Sequence, residues 1–296
     1  LPPEAFARLL RRGSLEELEV ACGQVIAEER LDRLRQIRER LLRIHPAPQP
    51  LPVVLANAEV LLRCRQPTAA LEVLDRFGPA EGAERLQWLL LEWRAAQAAL
   101  DHRRAALALQ RLVATRPERL ETLLLPVLVR QDGSVVSRPA LDLLAGHLQA
   151  RGFPRAAAEL LLASRVPGVA AAQRRLEAMR LLQELAPAER EELLEVALDQ
   201  AAAAGAWGLA AELLDAQAAL PSERARQRRL RLSPRLDDAY GEWRMLGSEP
   251  AAAARKAALE RQLRPPQGAG SSEEPGFSEE PGSTQQDGAT LPPAAP

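Results

Sequence analysis

Apolar residues recur at intervals of three and four along most of the chain. Leu31, Leu34, Ile37, Leu41 and Ile44 form one stripe, with arginines on the opposite side, and Leu86, Leu89, Leu90 and Trp93 form another. Such spacing places the apolar side chains on one face of a helix. It predicts amphipathic helices over about 15–28, 30–44, 53–64, 84–99, 138–150 and 189–203. A short helix over 4–12, closed by Gly13, precedes them. Ser14 with Glu17 three residues later is a capping box that starts the 15–28 helix. "HPAPQPLP" at 45–52 holds four prolines in eight residues and cannot continue a helix, so it is the first joint.

A phrase recurs along this pattern. "GFPRAAAELLLAS" at 152–164 and "GAWGLAAELLDAQ" at 205–217 align Ala157 with Ala210 and Leu161 with Leu214. The same register returns at Ala70 and Leu74, and at Ala105 and Leu109. Each copy follows one of the amphipathic segments, which makes the unit a helical hairpin. An alanine at a helix crossing lets two backbones approach, and a leucine four residues on fills the adjoining groove. Gly152 and Gly205 suit a left-handed helix end. Pro67 and Pro154 suit the first turn of the second helix.

In Ala58, Ala70 and Leu74, then Leu89, Ala105, Leu109 and Pro117, then Ala145, Leu148, Gly152, Ala157 and Leu161, then Leu194, Leu198, Gly205, Ala210 and Leu214, the chain resembles the tetratricopeptide repeat family over about 50–221. The key alanines are 35, 52 and 53 residues apart, against a family period of about 34. The two longer intervals leave room for an extra helix each, at 119–130 and 169–185. The expected fold is therefore all-α, an irregular α-solenoid of antiparallel hairpins, with a globular helix bundle as the competing arrangement. The resemblance implies a non-catalytic scaffold or adaptor that docks a protein or peptide on a helical-repeat surface.

Four segments follow: an N-terminal helical segment (1–45), the repeat array (50–221), basic C-terminal helices ending at 249–263 that cap the array (222–264), and a tail (265–296). The tail is Pro, Gly, Ser, Gln and Glu, cannot bury enough apolar surface to offset its entropy, and is expected to be disordered.

Composition supports the helical reading. Hydrophobic residues are 47% but aromatics only 3%, so the core must be Leu, Ala and Val, and strand formers are scarce. Net charge is -1, and removing the tail's five acids leaves residues 1–264 at +4. Lys256 is the only lysine, which fits a GC-rich coding bias better than selection for phosphate contacts. Cys22 and Cys64 lie in no metal-like spacing and are expected to be buried thiols in a reducing compartment, hence a cytoplasmic location. No apolar run is long enough to span a membrane, and "LPPEAFARLLRRG" has no signal-like apolar core.

No phosphate-cradling loop, metal box or nucleophile elbow is present, so no catalytic residue, cofactor or metal is expected. His45, His102 and His147 are scattered, with no partner placed near any of them. Arg224, Arg226, Arg228, Arg229 and Arg231 face one nearby acid, Glu223, with Tyr240 and Trp243 further on. That pattern carries the alternative function, a nucleic-acid-binding regulator using 224–235. For a protein partner the candidates are the turn residues Phe153 and Trp207, with those five arginines.

Overall fold

The computed structural model describes residues 1–114, 116, 118–182, 184–219, 222–247 and 250–264. Pro117, Pro221 and the tail at 265–296 lie outside the described residues. The chain divides into two compact units after Leu232.

The first unit is mostly helical. In order it holds α1 (Pro3–Arg12), α2 (Leu15–Ala27), α3 (Leu31–Ile44), α4 (Leu51–Arg63), α5 (Pro67–Leu74), α6 (Ala83–Ala98) and α7 (His102–Leu112). A single turn, α8 (Arg119–Thr122), leads into β1 (Leu124–Val129) and β2 (Val135–Pro139). Then come α9 (Ala140–Ala150), α10 (Pro154–Leu162), α11 (Val169–Leu181), α12 (Pro187–Ala203), α13 (Trp207–Ala218) and α14 (Glu223–Leu232). From α4 to α7 and from α9 to α14 each helix packs on the next, and α7 packs directly on α9. No helix among the described residues is long and apolar enough to cross a membrane.

Five hairpins share one turn. Glu29, Arg65, Leu100, Gly152 and Gly205 all adopt the left-handed conformation, with φ of 55°, 55°, 58°, 80° and 67°. In each case the next residue's amide reaches back five residues, as from Gln66 to the Leu61 carbonyl at 2.9 Å and from Phe153 to Leu148 at 3.0 Å. This Schellman closure satisfies carbonyls that the ending helix leaves open. In the sequence only Gly152 and Gly205 are legible at this position, because only glycine advertises it. A non-glycine residue there costs about 1–2 kcal/mol. Leu100 is 73% exposed, so Leu100→Gly loses little packing and is expected to raise stability by about 1 kcal/mol, read as a higher urea midpoint.

The residues expected at helix crossings are buried. Ala70, Ala105, Ala157 and Ala210 are buried, and so are Leu74, Leu109, Leu161 and Leu214. Pro67 and Pro154 open α5 and α10. Ser14 and Glu17 close the capping box, with the Ser14 amide donating to Glu17 at 2.8 Å and the Glu17 amide donating to Ser14 at 3.2 Å. One apolar cluster runs from α1 to α11 and a smaller one joins α11, α12 and α13. Two stripe residues differ from expectation: Leu31 and Leu86 lie at helix starts and are exposed.

Two expectations are overturned. The helix expected over 119–130 is one helical turn followed by an antiparallel hairpin, β1 with β2. Pro126 lacks the amide a helix interior needs, Val127, Val129, Val135 and Val136 favour extended backbone, and Asp132–Gly133 makes the turn. Gly133 has φ of +81°, and the Asp132 carboxylate accepts the Ser134 amide at 2.8 Å. The cysteines are also not free thiols: Cys22 and Cys64 form a disulfide with their Cα atoms 5.5 Å apart. Packing of α2 on α4 brings them within bridging reach, a proximity their 42-residue separation does not advertise.

The second unit holds a 3₁₀ turn (Ser233–Leu236), α15 (Ala239–Met245) and α16 (Pro250–Leu263). Arg255 grips Glu242 through two bonds of 2.7 Å. The Trp243 indole donates to Glu260 at 3.0 Å, lies under Lys256, and stacks on Tyr240.

Candidate functional site

A groove of about 890 Å³ opens on the first unit. Its walls come from α6, the start of α7, α9, α10, α11, α13 and the hairpin. Two helical glycines line it, Gly146 of α9 and Gly208 of α13, and an added Cβ at either would meet nothing within 4 Å. The largely buried Leu143, Leu161 and Leu176 line it with Leu209, the carboxamides of Gln97, Gln149 and Gln173, and the charged Arg138, Arg180 and Glu212.

One wall is braced by a buried cation. Arg174 is 5% exposed and donates to Asp142 at 2.6 Å, to Glu121 at 3.1 Å and to Ser164 at 2.9 Å. The Ser164 hydroxyl also donates to Glu121. Burial alone would raise the Glu121 pKa, but Ser164, the amides of Arg165 and Val166, and Arg174 together hold it below the ordinary carboxylate value. At the rim, Arg180 reaches Glu212 at 3.6 Å and Glu177 at 3.9 Å, all well exposed. Such pairs are weak and screened by salt.

Two histidines far apart in the sequence meet in this wall. His102 opens α7 and His147 sits inside α9, with their Nδ1 atoms 3.1 Å apart. His147 is buried, and its Nε2 has no hydrogen-bond partner among the described residues. The tautomer that leaves no buried N–H unbonded has His147 donating from Nδ1 to His102. Desolvation first, then the neighbouring His102, pushes the His147 pKa down to about 4. Unfolded, the same ring titrates near 6.5. The unfolded chain therefore binds more protons between those values, and stability is expected to fall as pH drops from 6.5 toward 4. Urea midpoints at pH 7, 5.5 and 4.5 check this, and His147→Gln should flatten the slope.

The partner-binding candidates fall in several places. Phe153 and Trp207 are each 48% exposed at their turns, and Arg151 lies over the Phe153 ring at 4.9 Å. Trp207 directly precedes the groove residues Gly208 and Leu209. The arginine run forms α14, and most of it is already engaged. Arg226 holds Glu223 at 2.6 Å, Arg228 holds Glu195 of α12 at 2.9 Å, and the buried Arg229 holds Asp215 of α13 at 2.8 Å. Arg231 donates to the Gln227 carbonyl at 3.4 Å, and Arg224 is exposed. The run thus stitches α14 to α12 and α13 rather than presenting five free cations. Sequence reasoning missed the groove itself, since its polar residues lie on helices far apart in the chain.

Among the described residues no three His, Cys, Asp or Glu side chains converge to hold a metal ion. Compared with known proteins, the chain matches no family model and no curated protein.

Proposed function

We propose that the chain is a non-catalytic interaction scaffold, an irregular tetratricopeptide-like solenoid whose groove docks a segment of a protein partner. The observation that carries this reading is the groove itself: about 890 Å³, lined by leucines, carboxamides and charged side chains, with two glycines on its wall. Concave sites with this mix suit a chain that buries apolar anchors and hydrogen-bonds its backbone. Two of the titratable groups there are already committed, Asp142 to Arg174 and His147 to His102. Carboxylates on Arg226, Arg228 and Arg229 make the nucleic-acid alternative the weaker one. Disulfides persist in oxidising compartments, so the Cys22–Cys64 bridge favours such a location over the cytoplasm.

A peptide-display selection on the full chain tests the reading. Gly146→Tyr fills open space on an exposed helix position, so the fold should tolerate it. Selected peptides are expected to lose about tenfold or more in affinity on that variant, or roughly 1.4 kcal/mol. Peptides that bind both proteins equally would sink the groove assignment.

A further inference from the structure

Among the described residues neither outer edge of the hairpin pairs with a further strand, and the two edges are not equivalent. Arg130 donates to the Ser134 carbonyl and Ala140 donates to the Leu123 carbonyl, each at 2.8 Å. With the register Leu125↔Arg138, Pro126↔Ser137, Leu128↔Val136 and Val129↔Val135, the antiparallel alternation is set. Val136 and Arg138 bond inward to β1, whereas Val135 and Ser137 turn their amides and carbonyls outward. On β1 the outward positions include Pro126, which has no amide, and the register slips between Pro126 and Leu128. Proline and bulges are the usual protections of an edge. The outer edge of β2 has neither before Pro139.

That edge is also flanked by unpartnered groups. Leu124, Val129 and Val135 share one face of the hairpin and are 60%, 65% and 56% exposed. On the other face Arg138 is exposed and pairs with no carboxylate among the described residues. The strand matches itself. An antiparallel pairing of two β2 strands about a two-fold axis at Val136 sets Val135 against Ser137 of the second copy, in both directions. Both outward-facing residues then exchange main-chain bonds. The same register sets Arg138 opposite Ser134 of the other copy, and the Asp132 carboxylate sits on that serine's amide at 2.8 Å. Two Arg138–Asp132 pairs follow from one axis. The two Val135 side chains come within diagonal reach.

We propose that β2 is a dimerisation edge, where a second copy of this chain adds its own β2 to make a four-stranded antiparallel sheet. The contact is self-complementary, as a two-fold interface requires. A strand pair this short buries well under the roughly 1,600 Å² of a stable interface, so the dimer is concentration-dependent.

Sedimentation of the full chain from about 5 to 500 μM tests this, a range that brackets affinities of the micromolar class. The wild type is expected to shift from monomer to dimer. Ser137→Pro removes an outward amide while leaving the inward ladder intact, and should weaken the dimer at least tenfold. Arg138→Asp should do the same without touching the backbone, and Asp132→Arg added to it should restore association. Across the axis the two Val136 Cα atoms would lie about 4.5 Å apart, a non-bonded antiparallel pair within disulfide reach. With both native cysteines paired, Val136→Cys should therefore form a covalent dimer on a non-reducing gel, and Val129→Cys should not. A wild type that stays monomeric throughout overturns the proposal. So does a dimer indifferent to both Ser137→Pro and Arg138→Asp, whatever other surface it uses.

Discussion

Removing the Cys22–Cys64 disulfide is expected to cost the first unit about 4 kcal/mol, from the chain entropy returned to an unfolded loop of this length. Cys22→Ala with Cys64→Ala is the suitable pair, because both positions are buried among apolar residues and alanine leaves no unpaired polar group. Against a total of about 5–15 kcal/mol for a typical domain, that is a large fraction. The effect should also be local. The bridge ties α2 to the end of α4, while α11, α12 and α13 carry an apolar cluster of their own. Amide exchange in α2, α3 and α4 should therefore quicken by orders of magnitude while that in α12 and α13 stays close to wild type. A urea midpoint unchanged by the double substitution, or by reduction of the wild type, would show that α2 and α4 hold together without the bridge.

The features legible in the sequence were those that repeat locally. Alanine and leucine at fixed offsets, turn glycines and first-turn prolines report on a hairpin from within its own residues. Ala157 with Leu161 and Gly205 with Ala210 therefore lead correctly to buried positions and a left-handed turn. The turns at Glu29, Arg65 and Leu100 use the same backbone but carry no glycine, so nothing in the residue types marks them. Asp132–Gly133 between valine-rich runs signals the hairpin, but the expectation of a helix there rests on a repeat interval of 52 residues that leaves room for one. The candidate site was the least legible part. His102 and His147 are 45 residues apart, and Arg174 reaches back 53 residues to Glu121. Which helices face one another decides such meetings, and that is a property of packing rather than of any local pattern.

Arg174→Ala should be the most damaging single substitution in the groove wall, at about 3–5 kcal/mol. The guanidinium is 5% exposed and sits between Asp142 and Glu121, so its loss leaves two carboxylates without their cation. Charge, rather than volume, is the larger part of that cost, and a second variant separates the two. Arg174→Met keeps most of the side-chain volume and should remain nearly as unstable at pH 7. Combining Arg174→Met with Glu121→Gln and Asp142→Asn removes the stranded charges and should recover most of the loss, since a buried ion pair often stabilises no more than neutral groups of similar shape. The pH dependence gives an independent reading. Glu121 has a lowered pKa in the folded protein, so its contribution is fully present above the ordinary carboxylate value and is lost as pH falls through the lowered one. With Arg174 gone, one source of that lowering disappears, and the acid limb of the stability profile should move to higher pH. A triple variant no more stable than Arg174→Ala would show instead that the guanidinium's packing and its bond to Ser164 dominate.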